Sequence, residues 1–170
     1  MHVLLNTNQG DIIIELDQLA APKTVANFVK YVTNGHYNGT IFHRVIFGFM
    51  IQGGGLDVNM KERPTHPPIE NEAKNGLKNN IYTVAMARTS EPHSATAQFF
   101  INTKDNAFLN FTSENPNDWG YAVFGRVVRG REVVNRIEKI ETISKSFYDD
   151  VPVTPVIIKK AELLEIFDSD

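Results

Sequence analysis

Turn-forming residues interrupt this chain too often for long helices, and that punctuation limits the folds open to it. Its apolar residues come in short β-branched or aromatic runs, each closed by Gly, Asn or Pro. Val3-Leu4-Leu5 and Ile12-Ile13-Ile14 with Leu16 flank Asn8-Gln9-Gly10-Asp11, which predicts a hairpin. Further strands are predicted at Phe47–Gln52, Tyr82–Ala87, Gln98–Asn102, Ala122–Val128 and Val153–Ile166. Asn38-Gly39, ahead of Thr40-Ile41-Phe42, predicts a tight turn with positive φ. Only two segments carry the helical period. Pro22–Asn34 aligns Val25, Phe28, Val29 and Val32, with Asn34-Gly35 as its stop, and Arg131–Ile140 aligns Val133, Val134, Ile137 and Ile140. Many strands, two helices and no β-α-β alternation exclude a doubly wound sheet. They predict a mostly β chain, an antiparallel barrel or sandwich.

Composition narrows the function. At 170 residues one domain over positions 1–170 is expected, and 42% hydrophobic with 22% charged residues describes a chain that folds. With 17 Lys and Arg against 20 Asp and Glu, and no basic block, nothing follows a phosphate backbone, so nucleic acid is not expected as a partner. Cysteine is absent, which removes thiolate nucleophiles, disulfides and cysteine-bound zinc, and suits a reducing compartment. The start carries no basic segment followed by an apolar one, and no run of about 18 apolar residues occurs anywhere, so a cytoplasmic chain without a membrane span is expected. Eleven Phe against 5 Tyr and a single Trp point to a greasy interior or pocket with few polar handles.

Two long polar stretches, Gly53–Asn80 and Thr103–Gly120, lack periodicity and are of the length that usually carries function. Chemistry within the chain is constrained mainly by what is missing. His2, His36, His43, His66 and His93 show no ligand spacing, so no metal is expected. Gly53-Gly54-Gly55 is followed by Leu56-Asp57 rather than Lys-Ser or Lys-Thr, which excludes a nucleotide phosphate loop and leaves a glycine-lined turn. No Gly-x-Ser-x-Gly elbow occurs. What remains is the pair of segments Phe42–Gly55 and Ala95–Ile101, apolar bulk carrying a few polar groups. Taken singly, Phe49 and Phe100 read as core, Arg44 as a surface charge, and Gln52 and Gln98 as loop caps. Taken together, two glutamines and an arginine amid Phe and Met need partners, and a concave apolar site with converging donors supplies them.

The blocks Phe42-His43-Arg44, Gly48-Phe49-Met50-Ile51-Gln52-Gly53-Gly54, Met86-Ala87, Ala97-Gln98-Phe99-Phe100-Ile101 and Val123-Phe124-Gly125 resemble the cyclophilin family of peptidyl-prolyl cis-trans isomerases. Asn71-Glu72-Ala73, Asn75-Gly76-Leu77-Lys78-Asn79, Ala85-Met86-Ala87-Arg88-Thr89 and Pro92-His93-Ser94-Ala95-Thr96-Ala97 are similar to its short bacterial cytoplasmic branch. The resemblance covers nearly the whole chain. It implies an eight-stranded antiparallel β-barrel capped by two α-helices, and rotation about X-Pro bonds that assists folding, as a chaperone does, without a cofactor. Its expected partners are proline-containing peptides and unfolded or flexible chains.

By that resemblance Arg44 is the catalytic arginine, Gln52 its companion, and Phe49, Met50, Phe100 and Leu109 wall the proline pocket. Ala87 and Arg88 belong to the segment whose backbone binds the peptide, and Gln98 is a further polar lining residue. Phe108 stands where many eukaryotic members have tryptophan, which implies weakened binding of the cyclic peptide cyclosporin. Tyr121 stands where they have histidine and Arg88 where they have asparagine, so side-chain contacts there differ. The alternative function is a proline-peptide binding module or holdase with the same pocket and no useful catalysis. A carrier of a small apolar ligand would need an empty barrel lumen. The chain is expected to work as a monomer, with the acidic tail Glu165–Asp170 as a solvated end.

Overall fold

In the computed structural model, which describes residues 1–165, the two-residue loop Asn8-Gln9 joins β1 (His2–Thr7) to β2 (Gly10–Leu16) as the predicted hairpin. Nine strands then pair antiparallel into one sheet. They are β1, β2, β3 (Thr40–Ile41), β4 (Arg44–Ile46), β5 (Met50–Gly53), β6 (Thr83–Met86), β7 (Phe99–Asn102), β8 (Val123–Arg129) and β11 (Ile157–Leu164), in the order β3-β11-β1-β2-β8-β6-β7-β5-β4. Only Phe42 and His43 separate β3 from β4. The Phe42 N–H donates to the Val156 carbonyl at 3.0 Å. One extended run, residues 40–46, therefore serves β11 with its first part and β5 with its last, and the sheet closes on itself. Counted once, that run makes eight strands of the nine, the expected barrel, and closure leaves little open edge.

Helices α1 (Pro22–Thr33) and α2 (Arg131–Glu138) bury Val25, Phe28, Tyr31 and Val32, and Val133, Val134 and Ile137, in the same cluster as the inward residues of the strands. Pro22 starts α1 where its missing N–H costs nothing. The Glu72 carboxylate, from a distant loop, accepts from the Thr24 N–H and Thr24 hydroxyl at 2.6 Å each. Gly35, at φ +75, ends the helix. His36 N–H bonds the Tyr31 carbonyl at 3.1 Å and Gly35 N–H the Val32 carbonyl at 3.2 Å, the paired closure of a Schellman motif. The Phe28 ring lies 5.0–5.5 Å from those of Tyr37, Phe99 and Phe124, so the lumen is packed with side chains and a carried apolar ligand has no place in it.

Two sequence expectations need correction, and one small sheet is an addition to them. The strand predicted at Phe47–Gln52 begins at Met50, because Phe47-Gly48-Phe49 forms the turn of the β4–β5 hairpin with Gly48 at φ +71. Phe49 therefore does not share a face with Ile51. The strand predicted at Val153–Ile166 begins only at Ile157, after Pro152 and Pro155, which lack the N–H a ladder needs. Ile166 and the tail beyond Glu165 lie outside the described residues. A second small sheet, β9 (Thr142–Lys145) with β10 (Tyr148–Pro152), was not anticipated. Its turn residues are Ser146-Phe147, which carry no turn signal.

Candidate active site

Alternation along the barrel wall positions the polar side chains. Phe99, Ile101, Ile51, Val84 and Phe124 point inward to the main core, so their neighbours point out. The register then lays the outward residues in one row across five strands: Arg44 opposite Gln52, Gln52 opposite Phe100, Phe100 opposite Ala85, and Ala85 opposite Val123. Met50, Ala85, Phe100, Leu109 and Val123 form a second buried cluster on this outer face, with Phe49, Ala87 and Tyr121 packed against it.

Beside that cluster lies a groove of about 470 Å³. It is lined by all eleven residues singled out in the sequence: Arg44, Phe49, Met50 and Gln52 from β4 to β5, Ala87, Arg88, Gln98 and Phe100 around β6 and β7, and Phe108, Leu109 and Tyr121 from the long stretch between β7 and β8. Its apolar end is framed by rings. Phe49 and Phe108 stack with centroids 5.7 Å apart, and Phe100 meets Tyr121 edge to face at 5.7 Å. The Arg88 guanidinium lies 4.4 Å from the Tyr121 ring centroid and donates to the Gly120 carbonyl from Nε at 3.1 Å and Nη2 at 2.8 Å. Neither the N–H nor the C=O of Arg88 has a partner among the described residues.

At the other end Arg44 is exposed, and its Nη1 donates to Gln52 Oε1 at 3.3 Å. Gln52 Nε2 donates in turn to Gln98 Oε1 at 2.9 Å, which fixes the amide with its oxygen toward the guanidinium. Gly55 makes room for this relay, since a Cβ there would lie 2.5 Å from Gln98 Nε2. Among the described residues Arg44 forms no ion pair, so most of its donors stay available to a ligand.

Two lining residues escaped the sequence reading, His43 and Tyr148. His43 is 3% exposed, its Nδ1 has no hydrogen-bond partner among the described residues, and its ring meets the Tyr148 ring edge-on at 5.6 Å. Burial, and then the Arg44 charge, push its pKa down from 6.5 to about 4, so at neutral pH the imidazole adds no second cation beside Arg44. Four buried asparagines were missed as well. Asn106 Nδ2 donates to the Phe49 carbonyl at 2.9 Å and to Asn102 Oδ1 at 2.8 Å. Asn102 Nδ2 donates to Asn79 Oδ1 at 3.0 Å, and Asn79 Nδ2 to the Leu109 carbonyl at 3.1 Å. Asn71 Nδ2 reaches the Gly120 carbonyl at 3.1 Å. These amides brace the irregular backbone that carries Phe49, Leu109 and Tyr121, a role that short-range patterns do not encode.

A closed antiparallel barrel with an apolar pocket and an unpaired guanidinium on its outer wall defines a class of protein. The chain belongs to the cyclophilin-type peptidyl-prolyl cis-trans isomerases, whose family model, described as cyclophilin type peptidyl-prolyl cis-trans isomerase/CLD, matches residues 2–163. It is 62% identical over 162 residues to the peptidyl-prolyl cis-trans isomerase cyp18 of Streptomyces antibioticus, covering 95% of this chain and 98% of that one. It is 54% identical to peptidyl-prolyl cis-trans isomerase B of Escherichia coli, covering 96% and 99%. A crystal structure of a cyclophilin-type isomerase of Cryptosporidium parvum, in the presence of the dipeptide Ala-Pro, matches with TM-score 0.78 at 28% identity, over 98% of this chain and 100% of that one. The chain is thus a peptidyl-prolyl cis-trans isomerase of bacterial type.

Proposed function

We propose that the groove seats an X-Pro segment with the proline ring against Phe49, Met50, Phe100 and Leu109, and that Arg44 donates to the imide nitrogen as the bond twists. Rotation breaks no covalent bond, but the planar amide loses its resonance on the way. To lower a barrier of about 18–20 kcal/mol to one that allows roughly 10³ turnovers per second, the site must supply about 5–6 kcal/mol. In the twisted state the nitrogen lone pair is no longer shared with the carbonyl, so the nitrogen accepts a hydrogen bond it refuses when planar. A fixed donor aimed there binds the transition state preferentially. A charge-assisted bond from Arg44 contributes about 1.5–3 kcal/mol. The remainder comes from seating the ring, excluding water, and holding the flanking peptide while the bond turns.

Gln52, with Gln98 behind it, orients Arg44. The unpartnered N–H and C=O of Arg88, beside Ala87, offer an extended peptide one donor and one acceptor. The observation that carries this reading is the register that sets Arg44, Gln52 and Phe100 in one row over the apolar pocket.

The substrates that fit a groove open on the barrel surface are unfolded or flexible chains, for which proline isomerisation is a slow folding step. We infer a single isomerase domain over residues 1–170 that works as a monomer in the cytoplasm, a reading consistent with its acidic, cysteine-free composition. Phe108 is 74% exposed and presents a smaller ring than tryptophan, which supports weakened cyclosporin binding.

Refolding of a protein limited by a trans-to-cis proline step separates the isomerase from the holdase. Catalytic amounts of the wild type are expected to accelerate the slow phase, and Arg44→Ala to leave it slow. If both proteins raise the yield of folded chain equally and neither changes the rate, the groove acts only by binding.

A further inference from the structure

The β9–β10 hairpin leans on the Arg44 end of the groove, and no role described so far accounts for its shape. Lys145 pairs with Tyr148, so Ser146-Phe147 is a two-residue turn, and both residues have positive φ, +51 and +70. Such a turn favours Asn-Gly, because a bulky residue at positive φ is strained. Here the chain places instead a phenylalanine that is fully exposed to solvent. One step further on, Asp149 and Asp150 oppose Ser144 alone, a β-bulge with Asp150 at φ +60. Bulges of this kind re-aim the neighbouring side chain. Tyr148 accordingly lines the groove with its ring against His43, and its hydroxyl has no hydrogen-bond partner among the described residues. Strained backbone that holds an aromatic in solvent beside a binding groove marks a contact surface.

We propose that this hairpin is an extension of the substrate groove, with Tyr148 as its inner wall and Phe147 as an aromatic platform. The occupant is the same flexible chain that carries the proline, through an apolar side chain a few residues beyond the X-Pro pair. Continuity decides for this occupant: Tyr148 belongs both to the groove wall and to the hairpin, so an extended peptide leaving the Arg44 end meets Phe147 next. The inference rests on the proposed seating of X-Pro segments in the groove. It adds a preference for length and apolar character.

The test compares isomerisation, measured by NMR exchange, of three peptides with one Ala-Pro core: a tetrapeptide, a version extended on both sides with leucines, and the same extension with serines. Phe147→Gly suits the turn better than the native residue, so its melting midpoint is expected to rise, which removes misfolding as an explanation. The wild type is expected to turn over the leucine peptide with a kcat/KM several-fold above that of the serine peptide, mainly through KM. Phe147→Gly is expected to remove most of that several-fold advantage while leaving turnover of the tetrapeptide within about twofold of the wild type. Equal effects on all three peptides, or none, would overturn the proposal. So would a concentration-dependent dimer in sedimentation that disappears in Phe147→Gly, which would make the platform a contact between copies. Arg44→Ala is assayed alongside: undiminished turnover of the tetrapeptide there would refute the underlying reading of the groove, whatever Phe147→Gly does.

Discussion

The two ends of the groove are built on opposite principles. At the pocket end, Phe49, Leu109 and Tyr121 ride on irregular backbone whose carbonyls are tied down by Asn106 and Asn79, and Asn71 ties down the adjoining Gly120 carbonyl. At the Arg44 end the guanidinium proposed to act as donor stands exposed on β4 and is held by one 3.3 Å hydrogen bond to Gln52. The contrast fits the two tasks proposed for these ends. A wall that recognises a rigid proline ring gains from being fixed in advance, since ordering it on binding would cost affinity. A donor that must meet a nitrogen whose geometry changes during the reaction gains from having unspent hydrogen bonds.

Breaking the braced end has the largest expected effect. Asn102 is fully buried, donates to Asn79 and Thr83 and accepts from Asn106, so Asn102→Ala leaves Asn79 Oδ1 without its donor and a small void beside it. A loss of about 3 kcal/mol in urea unfolding is expected, the cost of an orphaned buried group together with lost packing. With it, KM should rise more than kcat falls. A kcat-only effect would mean that the asparagines do not set the walls.

The Arg44 end is sharpened by pH. His43 titrates at about 4 in the folded chain against 6.5 when unfolded, so between those values the unfolded chain binds more protons. Stability should therefore fall as pH drops from 6.5 towards 4 and level off, for this group, below that. The span is roughly 3 kcal/mol. Burial is the main cause and Arg44 the second, so His43→Gln should flatten most of that slope in unfolding measured from pH 7 to 4, and Arg44→Ala only a little of it. An unchanged slope in His43→Gln would show that the ring is not held neutral by its surroundings.

How much of this could be read from the sequence follows the same division. Alternating and 3.6-period patterns are local, and they located both helices and most barrel strands. The gathering of Arg44, Gln52, Gln98 and Phe100 was legible because their blocks keep recognisable neighbours around them. The turn at Phe47–Phe49 was misplaced because a run of Phe and Ile outweighed one glycine in the pattern, while the β4–β5 register needed that glycine at positive φ. The β9–β10 hairpin was invisible because Ser-Phe fills a turn that normally advertises itself with Asn-Gly. Apart from the Asn106–Asn102 bond, the asparagine brace joins residues 23 to 57 positions apart in sequence, and nothing in the local composition marks which asparagines are buried.

The central claim is that Arg44 binds the twisted imide rather than the planar one. It is tested most directly by measuring, on one Ala-Pro-Phe peptide, both exchange rate and dissociation constant by NMR for the wild type and Arg44→Ala. The account predicts that catalysed exchange falls roughly 10- to 150-fold, equivalent to about 1.5–3 kcal/mol, while peptide affinity shifts less than about threefold. Equal losses of rate and affinity would contradict it, and would make the guanidinium a handle for the ground state alone.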